Sequence, residues 1–290
     1  MITSAQEATA ALEWHPHPEV WLLVVGLLIG YVWSVTVLGP RRAPPGTAIA
    51  TTGQKLAFLL GVLALLIAED WPLHELAEDY WFSAHMVQHL MFAFVIPPLL
   101  LLGTPAWLLR TLLGRGARFA AFRWLTRPLI ALVLFNAAIV AMHWPLMVNL
   151  QAENALFHLA FHVFLLGSAL VMWSVVVAPL PELNRLSAPA KMLFLFLQSV
   201  VPTVPASFLT FADRPLYSFY ESAPRLWGLS AGTDQMMAGL IMKLGGGLLL
   251  WSVIAVMFFK WSAQEEAEGG HEVSWDDFER ELEVWDMRKQ

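Results

Sequence analysis

Seven stretches of the chain are apolar over enough residues to cross a bilayer, for which a helix needs about 20. They run over residues 20–38, 56–76, 84–107, 128–149, 155–178, 192–211 and 236–259, with short polar connections between them. The pattern predicts an all-α integral membrane protein, a seven-transmembrane helical bundle over residues 20–260. An extracytoplasmic segment, 1–19, precedes it and an acidic tail, 261–290, follows it. The second span is the least regular, because Glu69 and Asp70 follow its strongly apolar part. Residues 1–19 carry Glu7 and Glu13 and lack a basic leading region, so no cleaved signal peptide is expected. In the tail, Trp275, Phe278, Leu282 and Trp285 recur at helical spacing behind the capping pair Ser274 and Asp277. They predict a short amphipathic helix, with a disordered acidic tail as the alternative.

Basic residues set the orientation. Arg41, Arg42, Lys55, Arg110, Arg115, Arg118, Arg123, Arg127, Arg185, Lys191 and Lys260 all fall on one side of the predicted bundle, against Arg214 and Arg225 on the other. The N-terminus is therefore expected outside and the C-terminus in the cytoplasm. Trp21, Trp107, Trp144, Trp227 and Trp261 lie near span ends and read as interface anchors.

Composition agrees: 58% of residues are hydrophobic and 14% charged, with a mean hydropathy of +0.59. Soluble domains hold roughly 45–50% apolar residues. The net charge of −6 says little about partners, since ten of the 23 acidic residues lie in the tail, and no basic tract suggests nucleic acid. With no cysteine, disulfides and thiolate metal sites are excluded.

Of nine histidines, eight fall on the expected outer side; only His271 does not. In "HMVQH" and "HLAFH" the pairs His85/His89 and His158/His162 are four residues apart, one helix face each. His143, in "AMHWP", comes from the neighbouring span. Five imidazoles from three helices are expected to meet in one outer-leaflet pocket and hold a metal. His15, His17 and His74 read as loop residues. Polar side chains within a span tend to face the bundle interior and mark function. Few carboxylates accompany the pairs in the sequence, which argues against a Glu-rich di-iron site. Met86, Met91, Met142, Met147, Met236 and Met237 lie near the same level. Imidazole with thioether suits copper, Cu(I) in particular, ahead of zinc or haem.

Asp234 and Gln235, opening the last span, are expected either to cap it or to support a ligand histidine. Lys243 needs a partner or a wet cavity, and Gly245–Gly247 suit close helix packing. Pro97-Pro98 and "VPTVPASF" predict bends in the third and sixth spans.

Six motifs in order, "HMVQHLMFAFVIPPLLLLGTP", "MHWP", "LFHLAFHVFLLGSALVMWSVV", "PLPELNRLSAPAK", "PLYSFYE" and "DQMMAGLIMK", resemble the multispanning CtaG family of cytochrome c oxidase assembly factors, associated with caa-type oxidases. The resemblance covers roughly residues 20–260. It implies a multi-pass protein of the bacterial plasma membrane, not an enzyme, that helps supply copper to the catalytic subunit of a haem–copper oxidase. Other copper chaperones are possible partners. The matching positions are His85, His89, His143, His158 and His162, with Asp234 and Gln235 beside them; Met86 and Met142 are read as accessory ligands from their level in the spans alone. A metal-free scaffold, a single-haem protein, a membrane di-iron enzyme and a copper permease are the alternatives.

Overall fold

A computed structural model describes residues 14–183 and 186–269; the predicted tail helix lies outside them. Every regular element among the described residues is helical. Six helices are long and apolar enough to cross a membrane: α1 (Pro18–Arg42), α2 (Thr52–Glu69), α3 (Phe82–Gly103), α5 (Ala155–Val177), α6 (Ala188–Phe211) and α7 (Ala231–Ala267). A seventh span is counted if Ala117–Leu125 and α4 (Pro128–Met142), which meet at 77°, are taken together. The protein is thus a multi-pass helical membrane protein.

Local chemistry places the helix starts. Thr51 and Gln54 form a reciprocal capping box at α2. Asn154, Ser187 and Ser230 accept from Phe157, Ala190 and Thr233 backbone N–H groups to start α5, α6 and α7. Two ends differ from expectation. The second span stops at Glu69 rather than 76, and the chain then makes a short turn, Leu73–Glu75, and a widened one, Leu76–Tyr80. The fourth stops at Met142 rather than 149. Pro145 holds Trp144 extended and opens a separate helix, Pro145–Glu153.

Alternating direction gathers the starts of α1, α3, α5 and α7 and the ends of α2, α4 and α6 at one face, here the histidine end. The arginine-rich connections lie at the other, where Arg110 pairs with Glu182. α3 packs against α2, α5 and α7; α4 lies on α5, and α6 on α7. More than half of α3 and α5 is buried (56% of each), against 17% of α1, so the polar ends of α3 and α5 are the ones enclosed. Outward leucines such as Leu22, Leu129 and Leu156 are about three-quarters exposed, as lipid contact requires.

The Pro97-Pro98 pair does not break α3. Proline brings no N–H to the Ala93 carbonyl, and the Trp173 indole N–H of α5 takes its place at 2.9 Å. A widened turn, Met91–Val95, precedes the pair. The sixth span does break, between Val200 and Thr203. Trp107 is not an interface anchor. It is buried, and its indole N–H donates to the Ile49 carbonyl at 2.7 Å. Trp144 and Trp227 are exposed, while Trp21 ties α1 to Asp70 at 2.9 Å.

Gly103 is where α2 and α3 come closest. A Cβ there would lie 2.4 Å from the Phe58 backbone nitrogen. Because backbone cannot swing aside, Gly103→Ala is expected to separate the helices and cost about 1–3 kcal/mol, the range for overpacking. A lowered thermal midpoint of the detergent-purified protein is the check; an unchanged one would show that the contact is loose.

Candidate functional site

The five predicted histidines do meet. All are buried at the histidine end: His85 and His89 on α3, His158 and His162 on α5, and His143 just past α4. Ring centroids lie 4.1 Å apart for His85/His89 and 4.2 Å for His158/His162. Across helices, His85 is 5.7 Å from His158, and His89 is 5.6 Å from His162 and 6.2 Å from His143. The i, i+4 spacing gives each pair one face, and the burial of α3 and α5 against each other turns the faces together.

The row extends beyond those five. His74 lies 6.3 Å from His158 and His17 lies 4.7 Å from His74, so seven imidazoles run from the segment before α1 to the end of α4. His17 and His74 are therefore not plain loop residues. Carboxylates also accompany the row, contrary to the impression of the sequence. His162 Nδ1 is 2.7 Å from Glu69, and His158 Nδ1 is 3.2 Å from Glu78. His74 Nε2 is 3.3 Å from Glu78, and His17 Nε2 is 3.1 Å from Glu75. The signal for them was the Glu69-Asp70 interruption and the His74/Glu78 pair four residues apart; what it lacked was the knowledge that the second span ends early.

The electrostatics outside the spans follow from this crowding. Burial, reinforced by the negative charges of Glu69 and Asp79, pushes the Glu78 carboxyl up to about 7. Burial lowers His74. For His17 burial is outweighed by the hydrogen bonds to Glu75 and Glu19, so its pKa is raised.

Several ring atoms have no protein partner. His85 Nδ1 and both nitrogens of His89 are buried without a hydrogen bond. His143 Nδ1 donates to the Ile139 carbonyl at 2.7 Å, which leaves Nε2 its lone pair. Three voids adjoin the row. A cleft of about 460 Å³ between α1, α2 and α5 has Glu69, Glu78, His158 and His162 on its walls. A polar cavity of about 40 Å³ touches Glu78, His85, Gln151, His158 and Tyr220. A third, about 30 Å³, touches Met86, His89 and His143. Among the described residues no three His, Asp or Glu side chains form a ready-made group for an ion.

The accessory positions have backbone partners. Asp234 is nearly inaccessible and accepts from the Phe82 and Ser83 N–H groups at 2.8 and 3.0 Å, so it caps α3 rather than its own helix. Gln235 accepts from Leu216 N–H at 2.6 Å and donates to the Leu209 carbonyl at 3.3 Å. Met142 is packed in the apolar core, and Met236 and Met237 are about 40% exposed. Gln88, within "HMVQH", is fully buried and donates to the Ala68 carbonyl at 2.8 Å, tying α3 to the end of α2. Tyr217 and Tyr220 of "PLYSFYE" donate to the His143 and Ala77 carbonyls, each at 2.9 Å, and fix the walls around the row.

Fold and site together define a polytopic helical membrane protein whose polar interior is an imidazole and carboxylate cluster at one end. The chain belongs to the family of cytochrome c oxidase caa3 assembly factors (Caa3_CtaG), which it matches over residues 29–264. Uncharacterized proteins of Mycobacterium bovis and Mycobacterium tuberculosis are each 27% identical to it over 269 residues. Those alignments take in 86% of this chain and 39% of the relatives, so the chain spans well under half their length. No solved structure matches it.

Proposed function

We propose that this assembly factor carries copper on the histidine row and hands it to the catalytic subunit of the oxidase. The reading rests on the His158/His162 pair. Their Nδ1 atoms face Glu78 and Glu69, and their Nε2 atoms face each other at 2.9 Å. In the tautomers that carry Nδ1–H toward the carboxylates, both Nε2 lone pairs face each other, and a cation held by both removes the repulsion. A carboxylate behind a ligand histidine is the usual support of a metal site. The remaining imidazoles offer successive ligands, so an ion moves by exchange rather than by full release. The Lys- and Arg-rich end is read as cytoplasmic and the histidine end as outward-facing. The membrane is the bacterial plasma membrane, and the protein acts as a chaperone without a catalysed reaction.

A scaffold that holds no metal is the competing reading. Its support is that carboxylates already stand beside the Nδ1 atoms of His158 and His162, with no ready-made three-residue group among the described His, Asp and Glu side chains. Metal content decides. Copper is expected to copurify with the wild type from copper-replete cells under reducing conditions and to fall in His158→Ala/His162→Ala. Metal at background in both, with oxidase assembly still dependent on the protein, would leave the scaffold.

A further inference from the structure

Beyond the α5 pair, and resting on the copper reading, we propose a second and softer metal station on the opposite side of α3. It would be built by the imidazoles of His89 and His143 and the thioethers of Met86 and Met242, and would take Cu(I). The four side chains line one cavity of about 30 Å³, enough for a single ion or water and too small for a hydrated cluster.

Several independent features converge there. Both His89 ring nitrogens are buried without a partner. His143 is held by its Nδ1 bond to Ile139, which fixes the tautomer and leaves Nε2 as the free donor. Met86 sits one turn before His89 on α3 and is 1% exposed; Met242 comes from α7 and is 5% exposed. Gln198 also reaches the cavity. Its amide nitrogen is a further buried group without a partner, while its oxygen accepts from Asn136 at 2.6 Å.

The backbone is adjusted at this place as well. α3 carries a widened turn at Met91–Val95 and α7 one at Ile241–Gly245, and such turns are frequent at functional sites. Gly246 allows α7 to approach α3: a Cβ there would lie 3.3 Å from Leu90 and 3.4 Å from Phe94. The break in α6 puts Pro202 and Thr203 on the same wall. Lys243, whose stem lines the cavity, carries its ammonium to the Phe211 ring, 5.9 Å from the centroid.

The donor set differs in kind from that of the α5 pair. Imidazole with carboxylate support suits harder ions, whereas thioether with imidazole selects Cu(I). His89 lies between the two, 5.6 Å from His162 and 6.2 Å from His143 by ring centroid. An ion leaving the carboxylate-backed pair meets His89 next, and the thioethers after it.

Copper K-edge absorption of the full chain, purified in detergent and loaded with Cu(I) under a reductant, tests the assignment. The chain has no cysteine, so any Cu–S scattering must come from methionine. The expected result is a mixed nitrogen and sulfur shell in the wild type. The sulfur contribution should survive His158→Ala/His162→Ala and vanish in Met86→Leu/Met242→Leu, a swap close to volume-conserving. Cu(I) affinity at that station should weaken by at least about tenfold, since even an outer-shell partner is worth that much. Copper bound through nitrogen and oxygen alone in the wild type would overturn the thioether station and leave the copper reading standing. No copper above background would overturn both.

Discussion

Asp234→Ala is expected to lower stability by about 2–6 kcal/mol, the sum over two buried backbone N–H donors left without an acceptor. The carboxylate is 1% exposed and accepts from two N–H groups, those of Phe82 and Ser83, which open α3. The site is closed to solvent, so the truncation strands both donors. Each stranded donor carries a desolvation cost of about 1–3 kcal/mol. The negative charge also faces the positive end of the α3 dipole, and that attraction disappears with it. Asp234→Asn keeps one of the two acceptors in place and should lose less than Asp234→Ala. The thermal midpoint in detergent measures both. Equal midpoints for wild type and Asp234→Ala would mean that α3 starts without this cap.

The consequence reaches the histidines. His85 stands two residues beyond Ser83, within the first turn of α3, so a frayed first turn displaces its ring and the contact with His158 at 5.7 Å. Metal loading should therefore fall in Asp234→Ala even though Asp234 has no free oxygen to bind an ion.

The same residue shows how far the sequence could be read. Its position at the opening of the last apolar stretch says that it caps something. The helix it caps, however, begins some 150 residues earlier in the chain, and only packing brings the two together. The histidine pairs were legible because a four-residue spacing needs no tertiary knowledge to place two rings on one face. Which rings would face each other across α3 and α5 was implied by their shared depth. Their carboxylate partners were not, because Glu69 and Glu78 look like the polar edge of a span until the chain is seen to leave α2 at Glu69 and fold back over α5.

The methionines illustrate the other limit. Six stood at a suitable level in the sequence, yet depth does not distinguish a side chain aimed inward from one aimed at lipid. Met236 and Met237 point outward, Met142 fills the core, and of the six only Met86 lines the cavity beside His89. Met242, which does line it, lies about three turns into α7, beyond the level at which the histidines drew attention. The fourth span shows a third case. Apolar residues continue past His143, so hydropathy runs on to 149, but Pro145 turns the backbone and makes His143 the last residue before a corner.

His89→Leu is expected to stabilise the metal-free protein while abolishing transfer between the two halves of the row. The ring carries two buried nitrogens with no protein partner, and each such group weakens the fold by about 1–3 kcal/mol relative to an apolar one. Leucine fills a similar volume among Leu90, Ala93 and Ile139, which line the same wall. The thermal midpoint without metal should therefore rise. His143→Leu is the control: it forfeits the bond from Nδ1 to the Ile139 carbonyl, so it should gain nothing or lose a little. Supplied with Cu(I), the wild type should gain stability by mass action. His89→Leu should gain only what the His158/His162 pair provides. A buried polar residue that weakens its own fold persists because something binds to it, and the opposite signs of these two effects are what such a residue must show. If His89→Leu instead melts below the wild type without metal, its nitrogens are satisfied in the folded protein, and His89 is a structural residue rather than the link between two stations.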